Sequence, residues 1–386
     1  MIQRAAAGVL AAALVFGAVR LHGHESYGRA ASFTLLAGAA LGFVLQRSRL
    51  CFTAAFRDLF LLGDRRAALG LLAALAAGSV GYMVVFGAQL PDPSKYLPVT
   101  AHVTPAGFHL ILGGAAFGTG MVLAGGCISG SLYRLGEGSL VAPVTLAASV
   151  VGYWIAFWTW DWFYLRMIVD GPIGWLPRSL GYGGALAVQL AVLGGLAALL
   201  LRKFPGLPPK PGEPATLGSA LRRAFVEGWP AWVGGIAVGA IATFVFLRTN
   251  PLGVTSELSR ISHVLGKKLG VVPVELLGLG KLPGCRPLET GAALTPNAIL
   301  VLSLVLGSAV AALLAGEFKV RVGRPKTYGM AAAGGVLMGF GAMISIGCTV
   351  GTLLSGIMAF SLSGWLFAAG LLGGAWLGTR ALRALA

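Results

Sequence analysis

Four cysteines, Cys51, Cys127, Cys285 and Cys348, are the residues of this chain best suited to specific chemistry. Each stands alone in its segment with no CxxC, so the usual zinc and thioredoxin-like spacings are missing. Two of them share a setting. In AGGCISGSLYRLGEG (124–138) and SIGCTVGTLLSGIMAF (345–360), glycine precedes the cysteine, a hydroxyl residue follows within two positions, and glycine stands three residues after it. Glycine lets the chain turn sharply, so each segment reads as a turn at Gly126 or Gly347 followed by a short helix beginning near the cysteine. The free N–H groups and positive dipole end of such a helix suit an anion. Ser129, Ser131, Thr349 and Thr352 would add neutral donors. A thiol is a weak donor with a polarizable sulfur, apt for touching a soft sulfur-containing anion without holding it tightly. The plainer alternative is a buried cysteine acting as a small hydrophobe. It fits Cys285 best, which lies in KLPGCRPLE without a counterpart, although an entrance role stays open for it. Cys51 follows SRL at the start of another short segment.

The elements that must position these residues are membrane helices. The chain has 386 residues, 56% hydrophobic and 11% charged, with a mean hydropathy of +0.82. A soluble domain carries roughly 25% charged residues, so the soluble classes are excluded. Glycine, at 59 residues, is about twice as frequent as its usual ~7%, which is typical of closely packed membrane helices. The net charge of +16 has its source in basic loops between apolar runs, as the positive-inside rule requires. No basic stretch is interleaved with stacking aromatics, so nucleic-acid binding is not indicated.

A spanning helix needs about 20 apolar residues. That length predicts helices near 5–21, 30–46, 67–88, 107–124, 139–164, 181–201, 230–247, 297–316, 328–346 and 363–379. Four further segments, 47–62, 126–136, 249–265 and 347–359, are too short or too punctuated to cross. They read as re-entrant helices, whose broken backbone must be shielded by protein or line a polar cavity. The first apolar stretch lacks a cleavage site and reads as a retained helix rather than a signal peptide. The fold class expected is therefore an all-α polytopic membrane protein, an hourglass-like bundle of about 9–10 spanning helices with four short re-entrant ones.

If every long stretch crosses once, the basic segments 202–223 and 317–326 share a side with Arg65, Arg66, Arg380 and Arg383. The positive-inside rule makes that side cytoplasmic, with both termini on it, in a bacterial inner membrane. The organisation read from this is a first helix and outer loop (1–29), a first repeat (30–201), a Pro-rich basic linker (202–229) and a second repeat (230–386). The halves are related. A shift of 221 residues superposes Gly113, Gly114, Gly118, Gly120, Gly126, Cys127, Gly130 and Leu132 on Gly334, Gly335, Gly339, Gly341, Gly347, Cys348, Gly351 and Leu353. More weakly, 36–56 matches 233–258. The expected topology makes this an inverted repeat, which places a substrate site near the midplane where helices are broken.

The predicted spans are nearly empty of acids, which argues against a cation path and favours an anion path. Arg47, Arg49 and Arg57 around Cys51, and Arg248 and Arg260 around the matching segment, read either as vestibules attracting a negative solute or as ordinary ion pairs and anchors. Trp154, Trp158, Trp160 and Trp162 read as an interfacial belt. The histidines suggest no site, no cofactor or metal is implied, and no GxxxxGK[ST] is present to bind ATP.

In FVLQRSRLCFTAAFRDLFL (43–61), GMVLAGGCISGSLYRLGEGS (120–139), NPLGVTSEL (250–258) and GFGAMISIGCTVGTLLSGIMAFSLSGW (339–365), the chain resembles the YeeE/YedE family of membrane proteins. The resemblance implies an hourglass-like inverted-repeat fold and uptake of a sulfur compound, thiosulfate in one branch, along a line of cysteines. It implies no enzyme and a possible TusA-like sulfur carrier as cytoplasmic partner. The family's central cysteines correspond to Cys51, Cys127 and Cys348, and Asn250 and Thr255 fall in the matching second-half segment. With Cys285, Gly126, Ser129, Gly347, Thr349 and Arg49 these form the candidate translocation set. Cys285, the extra first helix and the long linker depart from the thiosulfate branch. A selenium-compound permease and, in another class, a membrane thiol or sulfur-transfer enzyme are the alternatives.

Overall fold

The computed structural model describes residues 2–23, 28–98, 101–204, 222, 225–282, 284 and 294–385; Cys285 and most of the 202–229 linker lie outside them. Among the described residues the chain forms helices and no strand. In order they are α1 (Ile2–His22), α2 (Gly28–Ser48), α3 (Phe52–Leu61), α4 (Arg66–Gln89), α5 (Phe108–Leu123), α6 (Ile128–Gly136) and α7 (Val141–Phe163). There follow α8 (Pro177–Lys203), α9 (Ala231–Arg248), α10 (Thr255–Lys268), α11 (Pro296–Leu314), α12 (Pro325–Ile344), α13 (Thr349–Met358) and α14 (Leu362–Leu385). Among the described residues ten segments are long and apolar enough to cross a membrane, one for each span expected. The four short helices α3, α6, α10 and α13 also fall in the segments judged too short to cross.

Glycine breaks α5 from α6, where Gly125 takes a left-handed φ of 71°. The corresponding break between α12 and α13 uses a β-branched residue, Ile346, at φ 56°, a conformation that costs a branched side chain energy. The surrounding turn holds it: Thr352 Oγ1 donates to the Ser345 carbonyl at 3.2 Å, and Ser345 Oγ donates to the Gly347 carbonyl at 3.0 Å.

The dominant packing pairs each join the first half to the second: α5 with α14, α7 with α12, α4 with α9, α2 with α11, and α5 with α12. Exchanging the halves by the repeat leaves this set unchanged. At the α5–α12 seam the backbones touch. A side-chain carbon on Gly113 would lie 2.9 Å from the Gly341 carbonyl, and one on Gly120 would lie 2.5 Å from that of Gly334. The order of these contacts makes α5 and α12 antiparallel, and the 221-residue shift exchanges one contact for the other. Close approach of this kind is what small residues give membrane helices in place of a hydrophobic driving force.

The structure changes one expectation and selects between the two readings of the arginines. The tryptophans of α7 are not simply a lipid-facing belt. Trp160 is fully buried, and the indoles of Trp154, Trp158 and Trp160 donate to the carbonyls of Ser262, Val271 and Leu277 at 2.9, 2.6 and 2.9 Å. They tie α10 and the segment after it to α7. The arginines around the short helices are mostly paired. Arg57 binds Asp58 at 2.8 Å and Arg260 binds Glu257, whose other oxygen accepts from Thr295 at 2.6 Å. Arg248 lies over the Phe33 ring at 5.9 Å.

Arg47, 1% exposed, is held by Glu317 at 2.6 Å, and Arg49 reaches the same carboxylate at 3.1 Å. Gln46 donates to Glu317 as well, and Arg47 Nη1 donates to the Val226 carbonyl at 2.7 Å. Burial opposes the charge on Glu317, but the Gln46 hydrogen bond and the Arg47 and Arg49 charges outweigh it and hold its carboxyl below the ordinary value. A lowered folded value stabilises the fold above the ordinary carboxylate range and is lost as the pH falls through the folded value. Glu317→Gln is therefore expected to cost about 1–3 kcal/mol near neutral pH by leaving Arg47 without its anion. The difference from wild type should shrink as the pH passes below about 4. Thermal denaturation in detergent across this range checks it, and a pH-independent difference refutes the carboxylate as cause.

Candidate functional site

All three cysteines described, Cys51, Cys127 and Cys348, are buried free thiols. Each is the residue immediately before a short helix: Cys51 before α3, Cys127 before α6 and Cys348 before α13. The geometry expected for Cys127 and Cys348 is present. Cys127 Sγ accepts from the Gly130 amide at 3.3 Å, and Cys348 Sγ accepts from the Val350 amide at 3.4 Å. A cysteine sulfur here caps a helix N-terminus where Ser or Asp is usual, and being a weak acceptor it leaves the amide group easily drawn to a better one. Cys51 makes no such cap. The start of α13 is a π-helical turn, Thr349–Ser355, a geometry frequent at functional sites.

The short helices bring the candidates together in pairs. A side-chain carbon built on Gly130 would lie 3.4 Å from Cys127 Sγ and 3.5 Å from Cys51 Sγ, so both sulfurs rest against one glycine of α6. Ser129 Oγ lies 3.2 Å from Cys127 Sγ. In the second half, the Thr255 hydroxyl at the start of α10 approaches the Cys348 thiol. The Thr349 hydroxyl bridges the halves by approaching Cys127. Both threonine hydroxyls are buried, and neither completes a hydrogen bond among the described residues. The four N-termini thus meet in two pairs, Cys51 with Cys127 and Thr255 with Cys348, which the repeat exchanges. A void of about 10 Å³ beside Ser129, Val254 and Val350 leaves room for roughly one water.

Gly126 lies in the turn before Cys127. Gly347 is tighter still: a side chain there would overlap Thr352 and His102. His102 is buried against the Cys348 turn, a place its sequence surroundings did not signal. Arg49 and Asn250 are exposed, and Arg49 is engaged with Glu317. Cys285 is outside the described residues.

A second residue escaped the sequence reading. Arg134, on α6, folds back so that its guanidinium donates to the Gly125 carbonyl. A side-chain carbon on Gly126 would lie 3.2 Å from its Nη1, and the Tyr133 hydroxyl lies beside it. The available signal was position alone: an arginine seven residues after Cys127 inside a membrane segment is a functional candidate by default.

Comparison with known proteins places the chain in a family of membrane transporters. The family model for sulphur transport matches residues 47–377. The chain belongs to this family, that of the YeeE/YedE proteins. It is 30% identical over 364 residues to the thiosulfate transporter TsuA of Escherichia coli, covering 89% of this chain and 92% of the relative. It is also 30% identical over 347 residues to TsuA of Spirochaeta thermophila, covering 86% and 93%. The Escherichia coli protein named "Probable transporter YedE" is 31% identical over 167 residues, covering 43% of this chain and 39% of the relative.

Gly130 separates fold from site. An alanine methyl there makes ordinary contacts with both sulfurs and removes a glycine from a helix, worth about 1 kcal/mol. Gly130→Ala is expected to melt at or above the wild-type temperature while filling the gap between Cys51 and Cys127. Melting well below wild type would show that the two thiols need that space for folding.

Proposed function

We propose that this chain is a permease for a small sulfur oxyanion, thiosulfate first among them, in a bacterial inner membrane with both termini cytoplasmic. The observation that carries this is the convergence of short-helix N-termini on buried thiols and unsatisfied hydroxyls. Each N-terminus presents roughly half a positive charge and free amide groups. The thiols and the hydroxyls of Ser129, Thr255 and Thr349 offer several weak contacts, which a passing solute can leave as easily as it enters. The names of the two full-length relatives support thiosulfate as the substrate. The antiparallel α5–α12 seam and the exchange of packing pairs support an inverted repeat with the short helices re-entering at mid-depth.

The anion enters past Cys348 and Thr255, crosses to Cys127 beside Thr349 and Ser129, and leaves past Cys51. The thiols act as transient donors and stay uncharged and unmodified. A TusA-like carrier on the cytoplasmic side would receive the sulfur compound. One observation favours a second reading, covalent sulfur exchange: Cys51 and Cys127 share their contact with Gly130. Serine replacement separates the two, because a hydroxyl donates a hydrogen bond but cannot form a persulfide or disulfide.

Uptake of labelled thiosulfate by liposomes holding the purified protein is the test. Wild type is expected to take it up, Cys127→Ala and Cys348→Ala to lose tenfold or more, and Gly130→Ala to fall several-fold although well folded. Serine at Cys127 should retain more uptake than alanine. Full uptake by every alanine variant refutes the thiol path, and serine variants as dead as alanine ones favour covalent exchange. A folded wild type that carries a selenium analogue but not thiosulfate moves the substrate to selenium.

A further inference from the structure

We propose that Arg134 is the residue that reads substrate charge, making the Cys51–Cys127 half of the path selective for a dianion. The inference rests on the permease reading above and assigns a role to a residue outside the thiol set.

The arginines invoked as vestibules are largely committed elsewhere. Arg47 and Arg49 share Glu317, Arg57 holds Asp58 and Arg260 holds Glu257. Arg134 differs. Among the described residues no carboxylate lies within ion-pair distance of it, and the nearest acid in sequence, Glu137, is buried without reaching it. Its partners are neutral: the Gly125 carbonyl accepts from it and the Tyr133 hydroxyl lies beside it. A guanidinium has five N–H donors in a planar fork suited to an oxyanion, so these two contacts leave donors for a ligand.

Its position fixes which step it governs. The guanidinium lies over the Gly125–Gly126 turn that precedes Cys127, and Cys127 shares its contact with Gly130 with Cys51. The surroundings of Cys348 are neutral by comparison: the Thr255 hydroxyl and the amides of Val350 and Gly351. The outer thiol therefore meets the solute by donor geometry alone, whereas the inner pair meets it beside a fixed cation partly shielded from water. A partly desolvated cation discriminates strongly between one negative charge and two.

The experiment compares two anions that share a terminal sulfur and differ in charge: thiosulfate, with two negative charges, and methanethiosulfonate, in which a methyl replaces one oxygen, with one. Uptake of each is measured in liposomes with wild type, Arg134→Gln and Arg134→Lys, beside the melting temperature of each protein. Wild type is expected to prefer thiosulfate by tenfold or more. Arg134→Gln should lose at least tenfold in apparent affinity for thiosulfate but little for methanethiosulfonate, erasing the preference. Arg134→Lys, which keeps the charge, should keep most of it. If Arg134 only pins the Gly125 turn, both anions fall together, the lysine variant is no better than glutamine, and the inference is overturned. An unchanged preference in Arg134→Gln overturns it too. A wild type that carries neither anion overturns the permease reading, and this inference with it.

Discussion

Everything at the centre of this protein depends on holding together ends of helices that repel. Four short helices bring their N-termini to one place, each with a partial positive charge and unsatisfied amides, and Arg134 adds a full charge beside two of them. In hydrocarbon such an arrangement would fly apart. It is held because α5 and α12 meet glycine against glycine, so that the breaks that follow them are fixed relative to one another by backbone contact rather than by side chains that can yield. The electrostatic cost is thereby carried by packing elsewhere, and the positive potential left at the centre is what the proposed anion path would draw on.

The pairing of the halves explains why so few polar groups suffice. Each major helix contact crosses from one half to the other, so neither half buries its apolar faces alone. The perimeter is locked by directional contacts at a distance from the thiols: the Arg47–Glu317 cluster at the end of α2, the Glu257–Thr295 contact joining α10 to α11, and the indole N–H groups of α7. With rigidity supplied there, the site itself can be built from weak partners. Sulfur caps two helices where a carboxylate or hydroxyl would bind the amides more firmly, and the backbone donors stay ready to exchange.

Much of this was legible in the sequence, for physical reasons. Spans are set by bilayer thickness, so composition alone located all ten, and the short helices showed themselves by being too short to cross. The Gly-Cys motifs placed Cys127 and Cys348 at helix starts because glycine there serves a turn whatever the surrounding fold. What the sequence did not show depends on partners far along the chain. Glu317 lies 270 positions from Arg47, and the carbonyls that receive the α7 indoles lie more than 100 positions from them. Nothing local showed the carboxylate that waits for Arg49 at Glu317, whereas Arg57 has Asp58 beside it in sequence, and the ordinary pair offered there as one reading is the one observed.

That difference between paired and unpaired arginine also bears on how a soft anion can be bound loosely and still be chosen. Thiols and hydroxyls discriminate poorly among oxyanions, since each offers one weak donor and no charge. A fixed cation discriminates well but holds tightly, which would stall release. On the proposed path, neutral contacts at Cys348 and a charged one near Cys127 and Cys51 would separate the two tasks in space, and the contact that both inner thiols make with Gly130 would let the anion leave the cation by steps rather than in one costly jump. The carbonyl of Gly125 would matter in the same balance: by occupying part of the guanidinium fork, it would weaken the hold on a ligand without removing the charge proposed to select it.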